Sequence, residues 1–347
     1  MNFFGKYAQD SATRSCATRL ALLLAAALGA CDQAPPTPTV VVYTSVDQTF
    51  ARRVLHRFQE QTGIRVDALY DAEAGKTTGF LRRLKREAVQ PRCDVWWSSE
   101  VFGTIELARQ DIFTAYRSPA ADDIPEGWKD DELRWTGVAA RARVLAFDTR
   151  KWKKADLPQT WRELATSEHL SGLAIANPRF GTTRGHLAAM FAYWPEPAGR
   201  EFLERLRTER ATVADGNAHA VRLVASGAVD FCLTDTDDVW VAQRRGDPIG
   251  LVYPRLEPNG PVVWIPCSVA LVRGGPHAEN GRKLVDYLLS AAVERALAES
   301  DSRNVPLRRK LREELTPNSP APEPIDFERV ADALPAAMKA ARDILLR

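Results

Sequence analysis

The stretch L-T-D-T-D-D-V-W, Leu233 to Trp240, sets three carboxylates within four positions: Asp235, Asp237 and Asp238. They follow an apolar run, Val229 to Leu233, interrupted only by Asp230. Repulsion among them must be offset by something. Hard cations favour all-oxygen ligand sets of this kind, and a buried ammonium group needs carboxylates to offset its lost hydration. The same residues also fit a helix start. Asp235 or Thr236 would be the cap, with Asp237 and Asp238 in a first turn favoured by the helix dipole.

Anion-binding chemistry is present too. Arg141 and Arg143 stand two apart in a strand-like segment and so share a face, although an exposed strand face accommodates such a pair equally well. F-G-T-T, Phe180 to Thr183, opens a helix after a strand. Its free N–H groups at Gly181, Thr182 and Thr183, with two hydroxyls, suit a phosphate or carboxylate. Thr44 with Ser45, and Ser98 with Ser99, add hydroxyls at strand ends, where helix capping is the commoner job. D-G-N, Asp215 to Asn217, sits at another helix entry, where it could touch ligand, though a turn with a cap is the commoner reading. His186 and His219 lack metal-ligand spacing. Lys76 lies in no G-x-x-x-x-G-K-[ST] phosphate loop. Trp96, Trp97, Phe180, Trp240 and Trp264 crowd these loops, and core packing is the expectation for each.

Positioning these groups requires a regular scaffold. Val40 to Thr44 reads as a buried strand, and Phe50, Val54, Leu55 and Phe58 share one face of a helix stopped by Gly63. Strands at Ile64–Tyr70 and Asp94–Trp97 enclose a second helix starting at Thr77 or Thr78. This βαβαβ order implies a parallel twisted sheet with helices on its faces and a ligand at the carboxyl ends of its strands. Those ends are T-S-V-D-Q, D-A-E-A and S-S-E. A long strand, Gly137 to Thr149, leads into a second α/β series: strand Leu173–Pro178, helices through Ala192, over Ala198–Arg207 and from Asp215 to Gly227, then F-C-L-T into the acidic cluster. V-V-W-I-P-C-S-V-A-L-V reads as a strand returning to the first series. Helices near Glu279–Ala298 and Phe327–Leu346 close the chain.

The N-terminus reads as an export signal: Lys6, Arg14 and Arg19, an apolar stretch Leu20–Leu28, then L-G-A-C. That ending resembles the lipobox of bacterial lipoproteins, which implies cleavage before Cys31 and its lipidation. The expected location is the periplasm or the cell surface, lipid-anchored to a membrane, and the same lipoprotein resemblance implies that Asp32 favours the inner membrane. Residues 31–39 then form the lipidated Cys and a Pro-rich tether. No later apolar run is long enough to span a bilayer. Lys+Arg 47 against Asp+Glu 45 implies no polyanionic partner, nucleic acid included. With Cys31 lipidated, Cys93, Cys232 and Cys267 remain, an odd number without a disulfide framework.

V-V-V-Y-T-S-V-D-Q, C-D-V-W-W-S-S-E, G-V-A-A-R-A-R-V-L-A-F-D-T, A-N-P-R-F-G-T-T, A-S-G-A-V-D-F-C-L-T-D-T-D-D, V-D-Y-L-L-S and N-V-P-L-R together resemble the type II solute-binding proteins of ABC importers, the ferric-ion-binding branch above all. The resemblance covers Val40 to Arg309. It implies a two-lobed α/β fold, each lobe a mostly parallel sheet flanked by helices, joined by two crossing strands near Gly137–Val144 and Val262–Ser268. Lobe 1 would comprise 40–137 plus 267–347, and lobe 2 would comprise 138–266. It further implies a monomeric, non-enzymatic receptor that hands its solute to a permease with an ATPase subunit. In that branch a His, a Glu and two adjacent Tyr hold iron. Here those positions match Asp47, Glu100, Asp237 and Asp238, an all-carboxylate metal set. A synergistic anion would sit on Arg141, with Thr44, Ser45, Ser98, Ser99, Gly181, Thr182, Thr183 and Asp235 as further ligand contacts. Three functions are therefore expected to compete. The first is a receptor for ferric iron or another hard ion with its anion. The second is a receptor for a small organic phosphate or phosphonate, with an amine held by Asp237 or Asp238. The third, disfavoured because no nucleophile–base pair is visible, is an enzyme on the same scaffold.

Overall fold

The computed structural model describes Met1, 37–71 and 77–346. Cys31, Asp32, the signal and most of the tether lie outside the described residues. Contacts separate Met1–Pro38 from a second unit, Thr39–Arg347, and every described strand and helix belongs to the second unit.

Strand β1 (Thr39–Thr44) leads to helix α1 (Gln48–Thr62), whose start is capped by Asp47 and whose end falls at Gly63 with φ 68°, a left-handed turn that glycine adopts without penalty. Then come β2 (Arg65–Tyr70), α2 (Thr78–Arg86), β3 (Val95–Ser98), α3 (Phe102–Ala108) and a short β4 (Phe113–Thr114). The crossing strand β5 (Thr136–Asp148) is buried along its whole length. It feeds α4 (Trp161–Thr166), β6 (Leu173–Ala176), α5 (Gly181–Tyr193), α6 (Glu196–Thr208), β7 (Thr212–Ala214), α7 (Asn217–Ser226), β8 (Phe231–Asp235), α8 (Thr236–Arg244) and β9 (Ile249–Val252). The second crossing strand, β10 (Trp264–Val272), precedes α9 (Ala278–Leu288), α10 (Ala291–Glu299), α11 (Arg309–Leu315) and α12 (Phe327–Ile344).

All ten strands join one sheet in the order β2-β1-β3-β10-β5-β8-β6-β7, with β4 on β10 and β9 on β5. The first-lobe strands β1, β2 and β3 are parallel, as are β6, β7 and β8 of the second. The two crossing strands run antiparallel to each other and link the halves. Their register shifts between Pro266 and Cys267, where Ala140 and Val138 are paired and Ala139 is skipped. Ala139 stands at φ 46°, so the crossing carries a bulge.

Two expectations are corrected. The helix anticipated over Glu279–Ala298 is broken, because the Ser290 side chain accepts from Val293 N–H and starts α10 afresh. The last helix, expected with lobe 1, lies across both lobes. Its Phe327 ring meets Phe102 at 6.1 Å, Trp128 at 5.7 Å and Trp135 at 6.2 Å in lobe 1. Its Arg329 stacks over Tyr193 of α5 at 4.5 Å. Beneath it α5 and α3 touch: a Cβ at Gly185 would overlap the Phe102 ring, and Arg184 pairs with Glu106 at 2.8 Å. Cys93, Cys232 and Cys267 are free and buried. Among the described residues no helix is long and apolar enough to cross a membrane.

Candidate ligand site at the lobe junction

Asp235 ends β8 and stands directly opposite Arg143 of β5 in the antiparallel register. Cross-strand neighbours on one face lie within side-chain reach. Arg143 Nη1 donates to Asp235 Oδ1 at 2.7 Å, and the Arg143 side chain is wholly buried. Arg141, two residues earlier on the same face, donates through Nε to Asp235 Oδ2 at 3.3 Å. Asn217 Nδ2 donates to the same oxygen at 2.8 Å and the Thr182 hydroxyl at 2.5 Å. Asp235 is at the N-cap position of α8, yet its side chain makes no cap hydrogen bond. Its carboxylate is turned onto the arginines instead.

Asp237 and Asp238 do occupy the first turn of α8. Oxygens of Asp235, Asp237 and Asp238 lie within 4.8 Å of one another. Arg141 reaches Asp237 Oδ2 at 3.8 Å, and the Thr234 hydroxyl meets Asp238 at 3.4 Å. Three acids thus face two arginines. Burial, Arg141 working against it, and repulsion from Asp235 push the Asp237 carboxyl up to about 6. Burial and repulsion from Asp237 and Asp235 push Asp238 well above the usual carboxylate range. Asp237 keeps 23% side-chain exposure, so water limits the burial effect and repulsion carries more weight. Burial opposes the Arg141 charge, but Asp237 and Asp235 outweigh it and hold that guanidinium firmly protonated.

The first lobe contributes through its loops. Arg141 Nη2 donates to Ser99 O at 2.5 Å, so one guanidinium touches both lobes. Ser45 and Ser99 are tied by Ser99 N–H to Ser45 Oγ at 3.0 Å, and Ser45 and Ser98 hydroxyls meet at 3.4 Å. Thr44 turns inward to accept from Val46 N–H at 3.1 Å. The expected four-carboxylate set does not assemble. Among the described residues only Asp235, Asp237 and Asp238 cluster as metal-ligating groups. Asp47 is exposed and accepts from Thr49 and Phe50 N–H at the start of α1. Glu100 is buried and accepts from Phe102 and Gly103 N–H at 2.6 and 3.0 Å. Both carboxylates are spent on helix starts, which attract anions. The anion seat of Arg141 and Thr182 is likewise taken, by Asp235. Thr183 turns to Asn217 Oδ1 at 3.3 Å. Gly181, at φ 57°, begins α5.

Sequence reasoning misses two residues. Asn217 reads there as part of a turn, and it holds Asp235. His186, given no role, accepts from Arg143 Nε through Nδ1 at 3.2 Å. Burial and the Arg143 charge hold it neutral, with its pKa well below the ordinary value. Its position four residues after Thr182 on one helix face is the available signal.

Two lobes on crossing strands, with Arg141 at their junction bonded to Asp235 of one and to Ser99 of the other, define a receptor that encloses a small solute. The chain belongs to the bacterial extracellular solute-binding proteins, whose family model matches residues 104–330. It is an exported binding protein that serves an ABC importer. It is 25% identical over 286 residues to the "Major ferric iron-binding protein" of Neisseria meningitidis serogroup B, covering 79% of this chain and 82% of the relative. It is 23% identical over 290 residues to a "Putative 2-aminoethylphosphonate-binding periplasmic protein" of Salmonella paratyphi A, covering 81% and 82%. The fold is shared with iron-bound HitA from Pseudomonas aeruginosa at TM-score 0.78 and 19% identity, over 88% of this chain and 99% of that one.

Proposed function

We propose that this protein captures a hard metal ion, ferric iron first, on Asp237 and Asp238, and delivers it to the permease and ATPase of an ABC importer. The observation that carries the reading is the acid left over at the junction: two arginines are committed to Asp235, and Asp237 and Asp238 lack a full counter-charge. Carboxylate oxygens suit hard cations, and the ferric name of the Neisseria relative points the same way. Ser45, Ser98 and Ser99 supply the facing wall. Solute bridging the lobes stabilises the closed form, because only that form makes both sets of contacts. We further infer a monomer, anchored by lipid at Cys31 and kept at the inner membrane by Asp32.

The Salmonella relative supports a second reading, in which an aminophosphonate places its ammonium group on the same acids. A thermal-shift titration separates the two. Ligand that binds only the folded state raises the melting temperature. Ferric citrate, hard divalent ions, phosphate esters and 2-aminoethylphosphonate are compared on wild type and Asp237→Ala. The metal reading expects a shift with iron that weakens about a hundredfold in the variant, ~3 kcal/mol. A shift with the phosphonate and none with any metal would sink it.

A further inference from the structure

The donors that sequence reasoning assigns to a ligand anion already hold one. Arg141 Nε, Arg143 Nη1, Asn217 Nδ2 and the Thr182 hydroxyl converge on Asp235. Charge-assisted bonds of this kind are short and strong. The residue is 2% exposed, and Arg143 faces it across the β5–β8 ladder by register, so the pair is fixed by the sheet itself. An incoming oxyanion would have to expel this carboxylate, which is tethered at the end of β8 and present at very high effective concentration. Of the Arg143 donors, only the Nη2 amino group has no partner among the described residues, and one buried NH2 group does not make a phosphoryl seat.

We propose that Asp235 is the resident anion of the cleft, and that the solute is a cation which arrives without an accompanying oxyanion. The second clause rests on the metal reading above; the first does not. It assigns Asp235 a selective role: it fills the anion seat, screens Arg141 and Arg143, and leaves Asp237 and Asp238 as the cation-facing pair.

The test uses the unit Thr39–Arg347 in metal-free buffer, as wild type, Asp235→Ala and Asp235→Asn. Each is titrated with formate, bicarbonate and inorganic phosphate, reading the melting temperature. Wild type is expected to show no anion-dependent shift up to about 10 mM, and Asp235→Ala, with the seat vacated, to be stabilised by formate or phosphate. Asp235→Asn keeps the seat filled and should not respond. Phosphate binding to wild type as strong as to Asp235→Ala overturns the proposal, as does a folded Asp235→Ala indifferent to all three anions. If Asp235→Ala does not fold, wild type decides: phosphate stabilisation that is abolished in Arg143→Lys overturns the proposal, and its absence upholds it. A separate arm measures binding of ferric iron, supplied as ferrous chloride and oxidised by air in place so that no carboxylate chelator accompanies it. Wild-type affinity should change less than about twofold when phosphate and bicarbonate are omitted, while Asp235→Ala should lose more than about tenfold unless formate is supplied. An anion-responsive Asp235→Ala beside a wild type that takes no iron would defeat the metal reading and leave the resident anion standing.

Discussion

Asp237 and Asp238 cannot both ionise at low cost in the same half-buried turn. Carboxylates must lose their protons to bind a metal. Cation binding should therefore release protons near neutral pH, and affinity should fall as the pH drops through about 6, where Asp237 takes up its proton. Calorimetry in buffers of different ionisation enthalpy reads the release directly; a binding heat independent of buffer would contradict it. The stability sign without metal is opposite to the usual one. An acid whose folded pKa is raised holds a proton that the unfolded chain gives up, so its contribution to stability is lost as pH rises from about 3.8 toward the folded value. Asp238→Asn should flatten that part of the stability profile. The acids themselves are plain in the sequence. Their partners are not: Arg141 lies 94 residues from Asp235, and only the strand register says which carboxylate faces which guanidinium. Asp47 and Glu100 do stand at strand ends as expected, but the sequence does not show whether a carboxylate turns toward a cleft or back onto its own helix.

The crossing strands carry a bend at a defined place. Pro266 has no N–H to give the ladder, and opposite it Ala139 is skipped with φ at 46°, a conformation that costs a residue with a Cβ on the order of 1 kcal/mol. Ala140 is held beside it by paired bonds to Val305 of 2.8 and 2.7 Å. Ala139→Gly should relieve the strain and loosen the crossing. We expect a larger solution radius of gyration without ligand and weaker ligand binding, read by small-angle scattering and titration; an unchanged radius with unchanged affinity would remove the hinge role. Both crossing strands are legible from their apolar runs, as is nearly every helix with a clean 3.6-residue pattern. The short β4 and β7 are not, because two or three residues carry no periodicity. The break at Ser290 is hidden because apolar spacing continues across it, and only the serine cap betrays it.

At the scale of the molecule, α12 holds α5 of one lobe against α3 of the other. Arg109, the residue that caps the end of α3, binds Glu328 and Asp332 of that helix, and Phe327 is sunk among Phe102, Trp128 and Trp135. Phe327→Ala should cost about 3–5 kcal/mol and lower the melting temperature by on the order of 10 °C; a drop of only a degree or two would mean the helix is not a structural brace. This role lies beyond sequence reasoning, which assigns a C-terminal segment to the lobe its chain has just re-entered. Side-chain packing across lobes, not chain order, decides where such a helix rests. One consequence of the junction reaches beyond the receptor. Because the Asp235 carboxylate is part of the chain, it stays behind when the solute leaves. On the proposed reading each cation passed inward would cross as uncompensated charge, and the import cycle would be electrogenic, aided by about 2.3 kcal/mol per charge for each 100 mV of inside-negative membrane potential.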